Sequence, residues 1–69
     1  MTPAELRRAL DLLTGDVTGV AAALSCHRMT LYAMLEGRNP VQPRAGERIR
    51  ELLRERRDAI DAVLTTISI

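Results

Sequence analysis

Three chemically distinctive side chains lie within one short stretch, AAALSCHRMTLYAMLEG, at residues 21–37. Cys26, His27 and Tyr32 are the only cysteine, histidine and tyrosine of the chain. A structural zinc site needs four ligands, so the adjacent Cys26 and His27 would need two more from a second chain. A Cys–His nucleophile pair needs facing side chains and an orienting third group, which neighbours at a helix start do not provide. We therefore expect no metal, no cofactor and no enzymatic activity.

These three residues also have simpler interpretations. A lone cysteine is usually a small core residue, so Cys26 is expected to pack in a turn, and Tyr32 is compatible with a half-buried aromatic position. A helix that displays polar and aromatic groups to a partner accounts for His27 and Tyr32 together. The elements around the stretch decide between these possibilities.

Size and composition restrict the protein to one small domain, residues 1–69. The chain has 69 residues, 46% of them hydrophobic and 28% charged, which is a globular composition. One cysteine cannot form an internal disulfide, as is usual in a reducing compartment. No apolar run is long enough to span a membrane, and MTPAELRRAL lacks the features of a signal peptide. We expect a soluble protein of the bacterial cytoplasm or nucleoid.

Charge is unevenly distributed along the chain. Residues 1–37 carry a net charge of −1, residues 38–57 carry +4 and the remainder carries −2. All ten cationic residues are arginine, which suits phosphate and base recognition but is equally explained by a GC-rich genome. The clustering is more informative, because a local basic patch is typical of nucleic-acid binders. The alternative is a solvated helix face, with Arg48, Arg50, Arg54 and Arg57 paired to Glu47, Glu51 and Glu55.

Capping signals predict two helices in the first third. Thr2 and Glu5 form a capping box around Pro3, which predicts helix 1 over residues 3–14 with Gly15 as its carboxyl-terminal cap. Asp16 caps helix 2, whose apolar stripe ends at residue 24. Gly19 weakens this helix, which suggests that a neighbouring helix or a phosphate approaches there.

The remaining chain predicts further helices separated by a proline-rich loop. Helix 3 covers residues 27–36, with Leu31, Met34 and Leu35 buried, and Gly37 stops it. Prolines at 40 and 43 exclude a helix across residues 38–43. From residue 44 onward a heptad-like stripe predicts either one helix to about residue 64 or a second helix capped by Asp58. The β-branched residues 65–69 are expected to fray or to pair with another chain.

Residues 17–43, VTGVAAALSCHRMTLYAMLEGRNPVQP, resemble the helix-turn-helix of lambda-repressor/Cro-like bacterial and phage regulators. Ala21 and Leu24 match the first motif helix, Leu31 matches the recognition helix, and Leu35-Glu36-Gly37 with the following basic loop matches its end. Ser25 stands where that family usually has glycine, and Val17 where it has a phosphate-contacting polar residue, so either Thr18 or the backbone amides beside it are expected to take that role. The resemblance implies an all-α bundle of four to five helices, with the motif at residues 17–37 and a dimerisation region at residues 44–67.

The resemblance assigns three sets of residues. The base-contacting residues on the exposed side of helix 3 would be His27, Arg28, Met29, Tyr32 and Ala33. The phosphate-contacting residues would be Thr18, Thr30, Arg38, Asn39, Gln42 and Arg44. The apolar stripe expected to form a dimer interface comprises Ile49, Leu52, Leu53, Ile60, Val63, Leu64 and Ile67.

The implied function is sequence-specific binding of double-stranded DNA by a transcriptional regulator. Small phages and mobile elements encode repressors of this kind, and anti-CRISPR-associated repressors are of similar size. A single recognition helix buries little surface, so we expect a homodimer on an inverted-repeat operator and no small-molecule ligand. The alternative is a helical protein-interaction module, of antitoxin or adaptor type, that uses the carboxyl-terminal helix.

Overall fold

A computed structural model describes residues 1–13 and 16–67, and the chain there forms four α-helices and no strand. The helices are α1 (Pro3–Leu13), α2 (Val17–Ala23), α3 (Arg28–Leu35) and α4 (Pro43–Ile67). The all-α prediction is confirmed. The predicted end of helix 1 at residues 14 and 15, with the Gly15 cap, lies outside the described residues, as do residues 68 and 69.

Local capping explains where α1 and α2 begin. The Thr2 hydroxyl accepts from the Glu5 amide at 3.1 Å, and the Thr2 amide donates to Glu5 Oε1 at 3.0 Å, which completes the predicted capping box. Asp16 Oδ1 accepts from the Gly19 amide at 2.6 Å. A Cβ at position 19 would lie 2.9 Å from that oxygen, so glycine here accommodates the cap rather than a helix crossing.

The core lies where all four helices meet. Leu6, Leu31, Met34 and Ile49 are its largest fully buried side chains, and Val20 and Ala21 add the contribution of α2. Helix α1 packs against both α3 and α4, and α2 packs against α3. Arg48 Nε donates to the Ala23 carbonyl oxygen at 3.4 Å, which joins α4 to the end of α2. The orientation of α3 is therefore fixed by α1 and α2, and α4 is joined to both of these helices.

Helix α4 is one continuous helix of 25 residues, so the alternative of a new helix capped by Asp58 is wrong. Residues 65–67 continue α4, so the expectation that they fray is wrong, whereas pairing of this segment with another chain stays a prediction. The Thr65 and Thr66 hydroxyls donate to the carbonyl oxygens of Asp61 and Ala62, four residues earlier, at 2.8 and 2.9 Å. These bonds are local to the helix and compatible with it.

The first part of the predicted dimer stripe belongs to the core of the protein itself. Ile49 is completely buried, so its assignment to a dimer interface is wrong, and Leu53 is half-buried against the same core. Leu52 is also half-buried. The other side chains of the predicted stripe are exposed: Ile60, Val63, Leu64 and Ile67. Among the described residues, no helix combines the length and apolar character needed to cross a membrane.

Candidate nucleic-acid interface

The turn between α2 and α3 has a Schellman geometry that is completed by an unusual residue. Ser25 adopts φ 56°, the only positive φ among the described non-glycine residues. The Ser25 amide donates to the Ala22 carbonyl and the Cys26 amide to the Ala21 carbonyl, both at 3.0 Å. Because left-handed backbone is costly for an L-residue, this turn places serine where glycine is favoured. The chain reverses sharply here and begins α3 three residues later.

His27 caps α3 and is thereby held in one tautomer. Its Nδ1 accepts from the Met29 amide at 3.1 Å, and its backbone is extended. An accepting Nδ1 carries no proton, so the hydrogen of the neutral ring lies on Nε2. The exposed Nε2–H can donate to a partner, while the cap fixes the amino-terminal turn of α3.

The surroundings of Cys26 disfavour the reactive thiolate form of its side chain. The thiol is half-buried against the core, and burial raises the pKa of Cys26, which favours the neutral thiol over the nucleophilic thiolate. Across residues 1–13 and 16–67, no three His, Cys, Asp or Glu side chains form a group suited to a metal ion. Cys26 packs in the turn, His27 caps α3 and Tyr32 is 40% exposed, so the three rare side chains have separate roles.

The exposed side of α3 is narrow and well defined. At about 100° per residue, Arg28, Met29, Tyr32 and Glu36 fall within one arc of about 100°. All four are exposed, Met29 by 57%. Arg28 makes no hydrogen bond or ion pair within the described part of the chain, so its guanidinium is available to a partner.

Ala33 does not belong to this exposed side. It is only 7% accessible, so its predicted exposure and base-contacting role are corrected. The Arg38 and Asn39 amides donate to the Ala33 carbonyl oxygen at 2.9 and 3.2 Å, which brings the loop after α3 over this side of the helix. Gly37, at φ 79°, turns the chain into that position.

The six predicted phosphate-contacting residues fall into three groups. Thr18 lies beside Tyr32 in an open cleft of about 650 Å³ between α1, α2 and α3. Thr30, Gln42 and Arg44 line a smaller cavity of about 120 Å³ on another side of α3. Arg38 and Asn39 are exposed in the loop that follows α3. At about 100° per residue Thr30 lies nearly opposite the centre of the exposed arc, so polar groups flank the arc on the side of the Thr18 cleft and at its carboxyl-terminal end.

Two charged residues near this surface were missing from the sequence-based assignment. Glu36 Oε2 lies 2.7 Å from Arg38 Nε, so Arg38 is held by a carboxylate on the same arc. Arg7 of α1 lines the cleft that contains Thr18 and Tyr32, together with Asp11 and Asp16. The exposed position of Glu36 on helix 3 was a usable signal. Arg7 had none, because its position depends on how α1 packs against α3.

Comparison with known proteins adds no relative from which a role could be transferred. No protein-family model matches the chain, and no curated protein or solved structure matches it significantly.

Proposed function

We propose that this protein is a sequence-specific double-stranded DNA-binding transcriptional regulator in which α2, the turn and α3 act as a helix-turn-helix. The observation that carries the proposal is the exposed arc of α3, flanked by Thr18 on one side and by Arg38 and Asn39 at its carboxyl-terminal end. An α-helix fits the major groove, and groups on either side of it then reach the two sugar–phosphate backbones. The folded core leaves this one side of α3 available.

Specific roles follow from the chemistry of each side chain. Arg28 donates two parallel hydrogen bonds to a guanine edge, a contact that discriminates between bases by roughly 1–3 kcal/mol. Met29 contacts a thymine methyl group, and Tyr32 bonds to a phosphate or packs on sugar. His27 Nε2–H donates at the amino-terminal end of α3. These contacts recognise the DNA bases or hold α3 in the major groove while the bases are recognised.

Phosphate contacts set the position of α3 without reading sequence. Thr18 serves one strand, and Thr30, Gln42 and Arg44 serve the other. Arg38 and Asn39 add contacts from the loop, with Arg38 already oriented by Glu36. Two copies bound to an inverted repeat would occupy a promoter and exclude polymerase, so repression is steric and needs no effector or cofactor.

The proposal is tested by selecting binding sites from a random pool of duplex DNA with the wild-type protein, Arg28→Ala and Arg8→Ala. Arg8 is the matched control, because it is exposed on the side of α1 opposite the buried Leu6 and Leu10. The expected result is an enriched inverted repeat whose guanine preference is lost in Arg28→Ala, with affinity reduced roughly 5- to 140-fold. Arg8→Ala should select the same sequence. No enrichment at low salt would contradict DNA recognition.

A second candidate function, a protein-interaction module, is favoured by the exposed apolar side chains near the end of α4. Salt distinguishes the two. DNA affinity should fall with salt with a log–log slope of about −0.9 per phosphate contacted. Binding of a protein partner to apolar side chains should depend little on salt. A flat salt response combined with no selected DNA sequence would favour the interaction module.

A further inference from the structure

The carboxyl-terminal half of α4 projects from the folded core with no other part of the described chain against it. Every residue from 54 to 67 is exposed, a length of about four turns. The molecule is accordingly elongated, with extents of 48 × 20 × 17 Å. We call residues 54–67 the arm. A helical segment this short is marginal when isolated in water, and its stability ordinarily comes from packing of an apolar face.

The arm carries such a face. Ile60, Val63, Leu64 and Ile67 are 47%, 58%, 53% and 68% exposed, and their spacing places them within an arc of about 100°. This stripe continues the line of Ile49 and Leu53, whose side chains pack in the core. The apolar side of α4, which packs in the core at Ile49 and Leu53, therefore continues along the arm as an exposed surface. Arg56 interrupts it.

We propose that the arm pairs with the arm of a second copy of this chain, in antiparallel orientation. The charged residues of the arm indicate that its partner is a second copy of the arm and that the two helices run antiparallel. In a parallel pair, Arg56 would face Arg56 of the second copy within the apolar seam. Like charges directly opposed disfavour that arrangement. Of the other charged residues of the arm, Arg57 lies near the edge of the stripe, whereas Arg54, Asp58 and Asp61 lie more than about 100° around the helix from its centre.

The antiparallel pair removes the repulsion between Arg56 and Arg56 of the second copy. Heptad spacing then places Ile60 against Val63 of the second copy and Arg56 against Ile67. Arg56 thus lies beside the carboxyl-terminal turn of the partner helix, where unpaired carbonyl groups favour a cation.

The short length of the arm sets the strength of the pair. Two helices of about four turns bury an area near or below the ~1,200 Å² at the lower end of specific interfaces. The dimer is therefore expected to dissociate in the micromolar range. Its formation does not depend on DNA binding.

One consequence rests on the proposed function. The two-fold axis between residues 61 and 62 lies about 19 Å along α4 from Ile49, so two cores are separated by about 38 Å. That distance is close to one turn of DNA, about 34–36 Å, which is the half-site spacing expected for a helix-turn-helix dimer. A parallel pair would instead bring both cores to the same end.

Association is tested by sedimentation equilibrium over the micromolar range with the wild-type protein, Val63→Glu and Ala62→Glu. The two variants add the same charge to adjacent positions of the arm, one within the stripe and one on the opposite side. Val63→Glu should weaken dimerisation about 100-fold or more, and Ala62→Glu less than about 3-fold. Circular dichroism at concentrations where both variants are monomeric should show the same helix content in both. A wild-type monomer throughout, or equal losses in the two variants, would overturn the proposal.

Direction is tested by disulfide cross-linking in a background with Cys26→Ser. Proteins carrying Ile60→Cys and Val63→Cys, both of which retain Arg56, are mixed and oxidised, and the products are identified by mass. An antiparallel pair gives mainly the mixed 60–63 disulfide, whereas predominant 60–60 and 63–63 disulfides would refute it. The oligomeric state of the wild-type protein, compared with its result in DNA selection, separates the two proposals. A wild-type dimer that selects no DNA retains the arm pairing and rejects the regulator, while DNA selection by a wild-type monomer does the reverse.

Discussion

Replacing Gly46 or Gly37 by alanine makes the same substitution in two different backbone conformations, and the expected effects on stability are opposite. Gly46 lies in the first turns of α4, where a Cβ would meet no atom within 4 Å. Replacing glycine by alanine in a helix adds up to about 1 kcal/mol of stability when the methyl group is accommodated. For a domain of this size, Gly46→Ala should therefore raise the melting temperature by about 4–8 °C.

Gly37→Ala is the control, because its methyl group also has room. The nearest atom to that Cβ would be Pro3 Cγ at 3.9 Å, so no steric clash arises. The backbone at φ 79° is left-handed, which costs an L-residue roughly 1–2 kcal/mol, partly offset by the reduced entropy of the unfolded chain. The expected result is a loss of about 0.5–1 kcal/mol and a lower melting temperature.

Thermal unfolding followed by circular dichroism at one protein concentration measures both variants. Fixed concentration is needed because arm pairing would make the melting temperature depend on it. The reasoning requires a gain for Gly46→Ala and a loss for Gly37→Ala. Equal shifts of the same sign would refute the assignment of the difference to backbone conformation.

Three other predictions concern the turn and the caps. Ser25→Gly should stabilise the protein by up to about 1 kcal/mol in urea unfolding, because φ 56° suits glycine. Backbone and side-chain hydrogen bonds from Thr2 lower the pKa of Glu5, so stability from this carboxylate is present above its unfolded pKa and is lost as pH falls through the lowered value. NMR titration should show that Thr2→Ala returns the pKa towards normal. Because burial raises the pKa of Cys26, iodoacetamide should alkylate it more slowly in the folded than in the urea-unfolded chain.

The sequence was sufficient to locate the helices wherever a cap is local. Thr2 with Glu5 and Asp16 with Gly19 are pairs within three residues of each other, so their geometry is set by the chain itself. Gly37 likewise ended α3 as predicted. Continuity of α4 past Asp58 was left open, because both a helix start and a helix interior accept aspartate followed by apolar residues at helical spacing.

Packing between distant segments explains the two corrected side chains. Ile49 and Val63 lie on the same stripe of α4, yet one is buried in the core and the other is 58% exposed. Periodicity identifies the apolar side of a helix but not how far along it the rest of the chain reaches. Ala33 was placed on the wrong side because it lies only about 40° around α3 from the exposed Met29, and packing of the rest of the chain decides between such neighbouring positions.

The two candidate surfaces are coupled because α4 is a single helix. Ile49 anchors its first half in the core beside Leu31 and Met34 of α3, and Arg48 joins it to the end of α2. The orientation of the arm therefore fixes the orientation of the exposed side of α3, because no hinge separates the two. A flexible linker would leave the separation of two cores undefined, whereas a continuous helix fixes it through the register of the arms. Under the proposed arm pairing and DNA recognition, the position of Arg56 within the apolar stripe would therefore affect the spacing of the two DNA half-sites, although Arg56 lies far along the chain from Arg28.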